Sequence, residues 1–339
     1  MSPDPVALQA VVRRVLTIFR SRGWTDRDGA AIAVATAAYN GADITSADVI
    51  TRLAVRQFLT QNDASAHTVA SVLRELSADR SNDDSKTLDA TALILTALPS
   101  EYDAVVANLN DRVKERTPSG TRYEVGTLEG GTLSWRVAVA DIGPGNTDAA
   151  IETATSIDHF GANVVLFVGV AGALKDDLEP GTVVVATRVY HYEGGKDVGD
   201  DVLTRPASHD TAHTLNQVAA AVDRQWREAG RPPVVRKPIS AGELVVASSG
   251  SGTAAMLAQR FNDAVAVDME SYGVYEAAFR NGSTLAIAIR GISDRLDDKT
   301  VESDTTEQPI AATNAAAFAF DLLRAAEPDD VFPQARRDR

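Results

Sequence analysis

The chain has 339 residues, 44% of them hydrophobic and 24% charged, which is long enough for two domains and supplies a sizeable buried core. Its 33 basic and 47 acidic residues give a formal net charge of -14, which argues against nucleic acid or an anionic membrane surface as the main partner. Cysteine is absent, which excludes disulfides, thiolate nucleophiles and zinc–cysteine sites, and because neither a signal-peptide pattern nor an apolar stretch of roughly 18 residues is found, we expect a cytoplasmic protein.

Residues 1–76 are predicted to form a small all-α domain. Apolar residues recur at helical spacing near the start of the chain, and strand patterns are nearly absent. The same helical pattern is found in three further segments, 25–39, 46–59 and 64–76. Residues 77–90 are polar, small and acidic, and are predicted to be a linker.

Strand and helix patterns alternate from residue 91 onward. Strands are predicted at residues 91–97, 133–142, 164–170, 182–192, 264–267 and 284–290. Helices are predicted at residues 99–114, 146–160, 210–229, 253–262, 270–281 and 310–325. This order predicts an α/β domain over residues 91–326, in which helices flank a mixed, mostly parallel sheet. A polar tail is expected at residues 327–339.

Five segments whose residues could bind a ligand or take part in catalysis fall at the carboxyl ends of the predicted strands, where ligands bind in such sheets. They are residues 98–101, 143–146, 168–173, 267–271 and 290–294. Each also has an ordinary explanation. Glu101 and Glu270 fit acids at helix starts, the glycines fit tight turns, and Asp294 fits a helix cap or loop acid. No single segment decides the function, and their order and spacing together are the signal.

Six motifs carry a resemblance to a known family. They are ALPSE at 97–101, DIGPGN at 141–146, VGVAGAL at 168–174, GTVVVAT at 181–187, VDMES at 267–271 and RGISD at 290–294. In this order they resemble the nucleoside phosphorylase-I superfamily, and within it the methylthioadenosine/S-adenosylhomocysteine nucleosidases. The resemblance implies the nucleoside phosphorylase fold and an enzyme that cleaves the bond between a purine and its ribose. It implies neither a cofactor nor a metal.

The resemblance also implies catalytic roles. Asp294 matches the acid that protonates the purine at N7, and Ser293 matches the serine that orients it. Glu270 matches the carboxylate that holds the ribose hydroxyls, and Met269 matches the residue that packs on the sugar. Glu101 matches the glutamate that activates the attacking water. Physically, bond cleavage builds positive charge on the sugar, and protonation makes the purine a better leaving group.

Five further residues are predicted to bind substrate. Gly145 and Gly172 lie in glycine segments where the backbone can approach a ligand closely. Leu244 and Val245 fall near the base-binding segment of the family, and Tyr192 falls near a loop that reaches the ligand there.

Two departures from the family pattern bear on the nucleophile. Many phosphorylases of this superfamily bind phosphate with an Arg and a Ser or Thr at the places that Phe167 and Val170 occupy here. Because neither side chain can bind an anion, we predict hydrolysis, and a phosphorylase is the alternative within the same fold. The serine usual in the nucleosidases is also missing at position 170, so the substrate need not be methylthioadenosine.

Residues 190–196 (YHYEGGK) are similar to phosphorylase-like domains that are fused to bacterial signalling and defence modules. Arg188, Lys196 and Arg205 would then meet a 5′-phosphate chain, unless they are solvated loop charges. In that interpretation residues 1–76 resemble an effector-associated module that binds a protein partner. A catalytically silent nucleotide sensor is a further alternative. The family resemblance implies a homo-oligomer.

Overall fold

The computed structural model describes residue 15 and residues 88–199, 202–297 and 301–332. Contacts divide the chain into two units, Met1–Asp84 and Ser85–Arg339. Apart from residue 15, the predicted helical module lies outside the described residues, and so do residues 77–87 of the predicted linker; both remain predictions. Residues 88–90, also assigned to the linker, belong instead to the first strand, which begins at Leu88. Within the described ranges, no helix is long and apolar enough to cross a membrane.

The second unit alternates strands and helices. The strands are β1 (Leu88–Thr96), β2 (Asn110–Arg116), β3 (Arg122–Glu129), β4 (Leu133–Asp141), β5 (Val164–Ala173), β6 (Val183–His191), β7 (Gly195–Asp197), β8 (Val202–Thr204), β9 (Ala207–Asp210), β10 (Val234–Ala241), β11 (Ala266–Asp268) and β12 (Leu285–Arg295). The helices are α1 (Pro99–Val106), α2 (Asn146–Phe160), α3 (His213–Glu228), α4 (Gly252–Arg260), α5 (Ser271–Asn281), α6 (Val301–Ala325) and α7 (Pro328–Val331).

Ten of these strands form one mixed sheet in the order β11-β10-β6-β12-β5-β1-β4-β3-β2, with β9 paired to β6. The central pairs β12–β5, β5–β1 and β1–β4 are parallel, and so are β6–β10 and β10–β11. β11 also pairs with the end of β5, so five strands close on themselves at one side of the sheet. This closure brings the carboxyl ends of β5, β11 and β12 together.

Both faces of the central strands are buried, because their apolar runs present side chains to each side in turn. Ile94, Leu166 and Ile289 pack on one face against α3 and α6. Leu95 and Phe167 pack on the other face against α2 and α5. The expected sheet sandwiched by helices is therefore confirmed.

Several element boundaries differ from the sequence-based prediction. The predicted helix over 99–114 is wrong in its second half, because α1 ends at Val106 and β2 begins at Asn110. β2 is mostly exposed and charged, so only its pairing with β3 makes it a strand. β3 and the short strands β7, β8 and β9 were not predicted either. Nor was β10, which carries Pro238 at a break in its register with β6.

Other elements are longer than predicted. β5 continues to Ala173 and β12 to Arg295, so two glycine segments expected as loops lie within strands. α6 begins at Val301 and contains Pro309, whereas a start at residue 310 was predicted. α7 occupies part of the expected polar tail.

Candidate active site

A pocket of about 320 Å³ lies at the carboxyl ends of β1, β5, β10, β11 and β12. Its wall contains eight of the ten predicted site residues, which are Glu101, Gly172, Leu244, Val245, Met269, Glu270, Ser293 and Asp294. Gly145 and Tyr192 are not part of the wall. Segments separated by up to about two hundred residues in the chain therefore meet as the motif order predicted.

Glu101 is buried at the start of α1, with 1% of its surface exposed. One carboxylate oxygen accepts the N–H groups of Ala97 at 2.7 Å and Leu98 at 3.0 Å, so that the side chain at the third helical position caps the N–H of the N-cap residue. The other oxygen accepts the N–H of Val170 on β5 at 2.7 Å. Burial raises the pKa of Glu101, while the guanidinium of Arg290 and the three N–H groups oppose that rise. Glu101 is thus a helix-start acid that is also bound to the central sheet.

Arg290 is a buried guanidinium that the sequence-based search for site residues did not select. Its Nε lies 3.1 Å from Asp268 and its Nη2 lies 3.4 Å from Glu270. The guanidinium carbon lies 4.3 Å from the ring centre of Phe167, in a cation–π contact. The signal was present in the sequence, because an Arg inside the apolar run of β12 needs a buried anionic partner.

Asp268, also missed, fixes the start of α5. Its Oδ1 accepts the N–H groups of Ser271 at 3.2 Å and of Glu270 at 3.4 Å. Its Oδ2 accepts the hydroxyl of Ser271 and faces Arg290. Asp268 therefore holds both the helix start that carries Glu270 and the guanidinium beside it.

Glu270 is held at the same helix start. Oε1 accepts the N–H of Gly145 at 3.1 Å, and Oε2 faces Arg290. Burial and the neighbouring charge of Asp268 raise the pKa of Glu270 to about 7, although Arg290 opposes the rise. Gly145 has a φ of 114°, which favours glycine, and it contributes to the site through Glu270.

Ser293 and Asp294 both line the pocket, although neighbouring residues of a regular strand face opposite sides. The register between β12 and β5 shifts between Ile292 and Asp294, which places the extra residue Ser293 in a bulge. Ser293 donates a hydrogen bond of 2.7 Å to Asp294 Oδ2. Gly172 is the register partner of Asp294, and its missing side chain leaves space beside the carboxyl group.

Apolar residues form the opposite side of the pocket. Met269 and Val267 lie next to the acids, and the segment after β10 supplies Leu244, Val245 and Val246. Leu244 and Val245 are 59% and 57% exposed, which puts them at the pocket mouth. Val246 was missed in the sequence because the segment aligns loosely with the family pattern.

Tyr192 supports this segment from beneath. The side chain is buried, and its ring packs so closely on Gly242 that a Cβ at that position would overlap it. Its hydroxyl lies 3.5 Å from the carbonyl oxygen of Leu244. Tyr192 therefore contacts the segment that lines the pocket and does not line the pocket itself.

The three basic residues expected to meet a phosphate chain lie away from the pocket wall. Arg188 pairs with Asp210 at 2.5 Å on the surface. Lys196 lies on the short β7–β8 hairpin and Arg205 directly follows it, both exposed. Among the described residues of the wall, Arg290 alone is basic.

The two positions that suggested hydrolysis behave differently from each other. Phe167 is buried under Arg290 and offers nothing to an anion. The side chain of Val170 lines the pocket, but its N–H donates to the carboxylate of Glu101. The expectation for the Val170 side chain, which is apolar, is unaffected, whereas its main-chain N–H does bind a carboxylate.

The arrangement combines a hydrogen-bonded acid, Asp294, with three more buried carboxylates around one guanidinium. Such a wall can donate a proton at one side and stabilise positive charge at the other.

Comparisons with known proteins agree with this geometry. A family model described as the phosphorylase superfamily matches residues 91–325. The chain is 27% identical over 262 residues to an ATP nucleosidase, Cap17, from Escherichia coli, covering 69% of this chain but only 51% of that protein. The chain thus spans about half the length of this relative.

A smaller relative and a solved structure match over nearly their whole length. The 5′-methylthioadenosine/S-adenosylhomocysteine nucleosidase of a Marinomonas species is 24% identical over 243 residues, covering 68% of this chain and 97% of that protein. The crystal structure of the nucleosidase of the same name from Neisseria meningitidis, in complex with methylthio-immucillin-A, has a TM-score of 0.60 at 24% identity. That alignment covers 70% of this chain and 99% of the other, and it shows that the two share a fold.

Proposed function

The chain belongs to the phosphorylase superfamily, and from that premise we propose that it hydrolyses the N-glycosidic bond of a purine nucleoside or nucleotide and releases the free base. The observation that carries the proposal is one pocket that contains an acid, three other carboxylates and a buried guanidinium. The names of the relatives, which are nucleosidases, support it.

Asp294 is proposed as the acid. Cleavage sends the electron pair of the C1′–N9 bond to the purine, and a proton from Asp294 to N7 neutralises it. The hydrogen bond from Ser293 and the bulge at the end of β12 hold the carboxyl group at the pocket. General acid catalysis of this kind contributes about 10²–10⁴-fold to a rate.

Glu101 is proposed to receive a proton from the attacking water. A carboxylate has about four acceptor positions, and backbone N–H groups occupy two on one oxygen and one on the other. One position on Oε1 is left for a water hydrogen. The water oxygen then bonds to C1′ of the ribose as the purine leaves.

Glu270 and Asp268 are proposed to favour the oxocarbenium-like sugar. Glu270 stands at the pocket wall beside Met269, where it can also accept ribose hydroxyls. Arg290 neutralises part of the carboxylate charge and fixes both side chains. Fixed charges aimed at a developing cation in a buried site are an effective source of rate enhancement.

Two observations bear on the substrate in different directions. The relative named as an ATP nucleosidase favours a nucleotide. The described pocket wall favours a substrate without phosphate, because its one basic residue, Arg290, already faces two carboxylates. Arg188, Lys196 and Arg205 do not reach that wall, so the proposal gives them no role in binding phosphate.

A substrate panel tests the proposal. The protein is incubated with adenosine, inosine, methylthioadenosine, AMP and ATP, with and without phosphate, and free base is measured. Base release without phosphate supports hydrolysis, and strict dependence on phosphate would establish a phosphorylase instead. No base release from any of these compounds would favour the nucleotide sensor.

On the family resemblance we also propose a homo-oligomer that acts in bacterial defence, with a partner-binding module at residues 1–76. A cytoplasmic location is proposed separately from it. Light scattering after size-exclusion chromatography measures the oligomeric state. Base release by the full chain, compared before and after mixing with candidate partners, tests the module.

A further inference from the structure

Asn146, the last residue of the DIGPGN motif, has no role in the reaction described above, although it is buried, with 6% of its surface exposed. Its amide oxygen accepts the N–H of Gly273, in the first turn of α5, at 3.0 Å. Its amide nitrogen donates to the carbonyl oxygen of Gly242, directly after β10, at 3.1 Å. Because one partner is a donor and the other an acceptor, a side-chain amide satisfies both. Asn146 therefore joins the start of α2 to two other segments of the site.

The first turn of α5 receives side-chain hydrogen bonds from outside the helix. Glu270 occupies the N-cap position, where a side chain ordinarily accepts an N–H of the first turn, but its carboxylate makes no such bond. Asp268 accepts the N–H of Ser271 instead, and Asn146 accepts that of Gly273. Because Asp268 and Asn146 satisfy these two N–H groups, the carboxylate of Glu270 can stay at the pocket wall.

The helices α2 and α5 meet main chain to main chain at the same point. A Cβ on Gly273 would overlap the main-chain oxygen of Asn146, so glycine is the residue that fits here. Gly145, the residue before Asn146, donates its N–H to Glu270 Oε1 at 3.1 Å. The contact between the helices therefore positions both the start of α5 and the N–H group that holds Glu270.

We propose that Asn146 is a positioning residue, which caps α5 in place of Glu270 and thereby keeps the Glu270 carboxylate directed at the ribose. The consequence for catalysis rests on the proposed function, whereas the position of the carboxylate does not. Without the amide of Asn146, the N–H of Gly273 has no acceptor, and a buried N–H without an acceptor is costly. Glu270 is the side chain at the N-cap position, so its carboxylate is expected to turn to that N–H and leave the pocket.

The crystal structure of Asn146→Ala tests this position without any assay of activity. We expect the Glu270 carboxylate to accept the N–H of Gly273 at about 3 Å and to leave the N–H of Gly145. If Asn146→Ala does not fold, Asn146→Ser takes its place, because the serine hydroxyl is one bond shorter than the amide and does not reach Gly273. A Glu270 carboxylate that does not bind this N–H in the folded variant would overturn the proposal.

A double-mutant cycle tests the consequence for catalysis. Base release from a substrate that the wild-type protein cleaves is measured for Asn146→Ala, for Glu270→Ala and for the double variant. Because Asn146 acts through Glu270, Asn146→Ala should lower kcat/KM by about tenfold in the wild-type background but by less than about twofold in the Glu270→Ala background. An equal loss in both backgrounds would show a general structural effect and would contradict the positioning role.

Asn163→Ala is the matched control. Asn163 also accepts a main-chain N–H with its amide oxygen, that of Thr91 at 2.8 Å, but it precedes β5 at the end of the sheet opposite the pocket. This variant should leave Glu270 in place and change kcat/KM by less than about twofold. A loss as large as that in Asn146→Ala would count against the proposal.

The crystal structure needs no nucleoside, so its outcome is independent of the substrate panel. A failure of the positioning role is therefore distinguishable from a failure of the proposed function.

Discussion

Ser293 donates a 2.7 Å hydrogen bond to Asp294, its immediate neighbour in the chain, and both side chains line the same pocket. The register shift at the end of β12 makes this possible. Without the bulge, the alternation of the strand would send one of the two side chains to the other face of the sheet.

Asp294→Asn should reduce base release by about 10²–10⁴-fold, because an amide cannot supply the proton that the purine needs. The measurement is kcat with a substrate that the wild-type protein cleaves. The near-isosteric change should leave the circular dichroism spectrum and Tm close to wild type.

Two variants act as controls for this experiment. Ser293→Ala removes one hydrogen bond and should reduce the rate by about tenfold, the equivalent of 1.4 kcal/mol. Asp321→Asn, on α6 and bonded to Trp226 and Arg231, should leave the rate unchanged. Near-normal turnover by Asp294→Asn would remove Asp294 from the role of acid.

The pH dependence of the rate should report Glu270. If its ionised form stabilises the sugar cation, kcat/KM should fall below about pH 7, since burial and Asp268 raise its pKa to about 7. The profile is measured from pH 5 to pH 9 with one substrate. Glu270→Gln should be slower and should lose this limb, so an unchanged limb in the variant would assign it to another group.

The free energy of unfolding should depend on the same ionisation, but it should fall with rising pH where kcat/KM rises. The pKa of Glu270 rises from 4.5 to about 7 on folding, so the folded state binds the proton more tightly than the unfolded state. The contribution of this protonation to the free energy of unfolding is fully present below about pH 4.5 and is lost as pH rises to about 7. The free energy of unfolding of Glu270→Gln, relative to wild type, should therefore increase by up to about 3 kcal/mol over this window.

Urea titrations at pH 4.5, 6 and 8 measure this difference. Because Glu101 and Asp268 remain in the variant, the difference from wild type reports the ionisation of Glu270 together with its interaction with these two carboxylates. A difference that stays constant with pH would show that folding leaves the proton affinity of this carboxyl group unchanged.

Gly169→Ala should disable the site. A methyl group here would overlap the Glu101 carboxylate and the Arg290 guanidinium, and both are buried, so at least one has to move. We expect base release to fall by more than about 100-fold, in line with the cost of misplacing catalytic groups by about 1 Å.

Gly252→Ala is the matched control, since a Cβ at this first residue of α4 meets open space. It should leave both the rate and Tm near their wild-type values. Equal activity in Gly169→Ala would mean that Glu101 and Arg290 do not need their present positions.

The parts of the fold and site that follow local rules could be predicted from the sequence. Apolar runs identify β1, β4, β5, β6 and β12, because strands buried on both faces need them. The acids Glu101, Glu270 and Asp294 follow such runs, and strand ends are where α/β sheets bind ligands.

The parts of the fold and site that depend on pairing between distant segments could not be predicted from the sequence. β2 has the charged composition of a surface helix, and its strand conformation comes from β3. The ion pairs of Arg290 connect β12 to the start of α5, and spacing alone does not reveal them. The bulge at Ser293 needs the register between β5 and β12, which a single strand does not encode.

The hydrogen bonds that hold Glu101 come from the main chain, and this has an evolutionary consequence. Every amino acid except proline offers an N–H group, so the three hydrogen bonds to Glu101 do not depend on which side chains stand at positions 97, 98 and 170. A substitution at one of these positions that keeps the main chain in place should therefore leave the Glu101 carboxylate where it is.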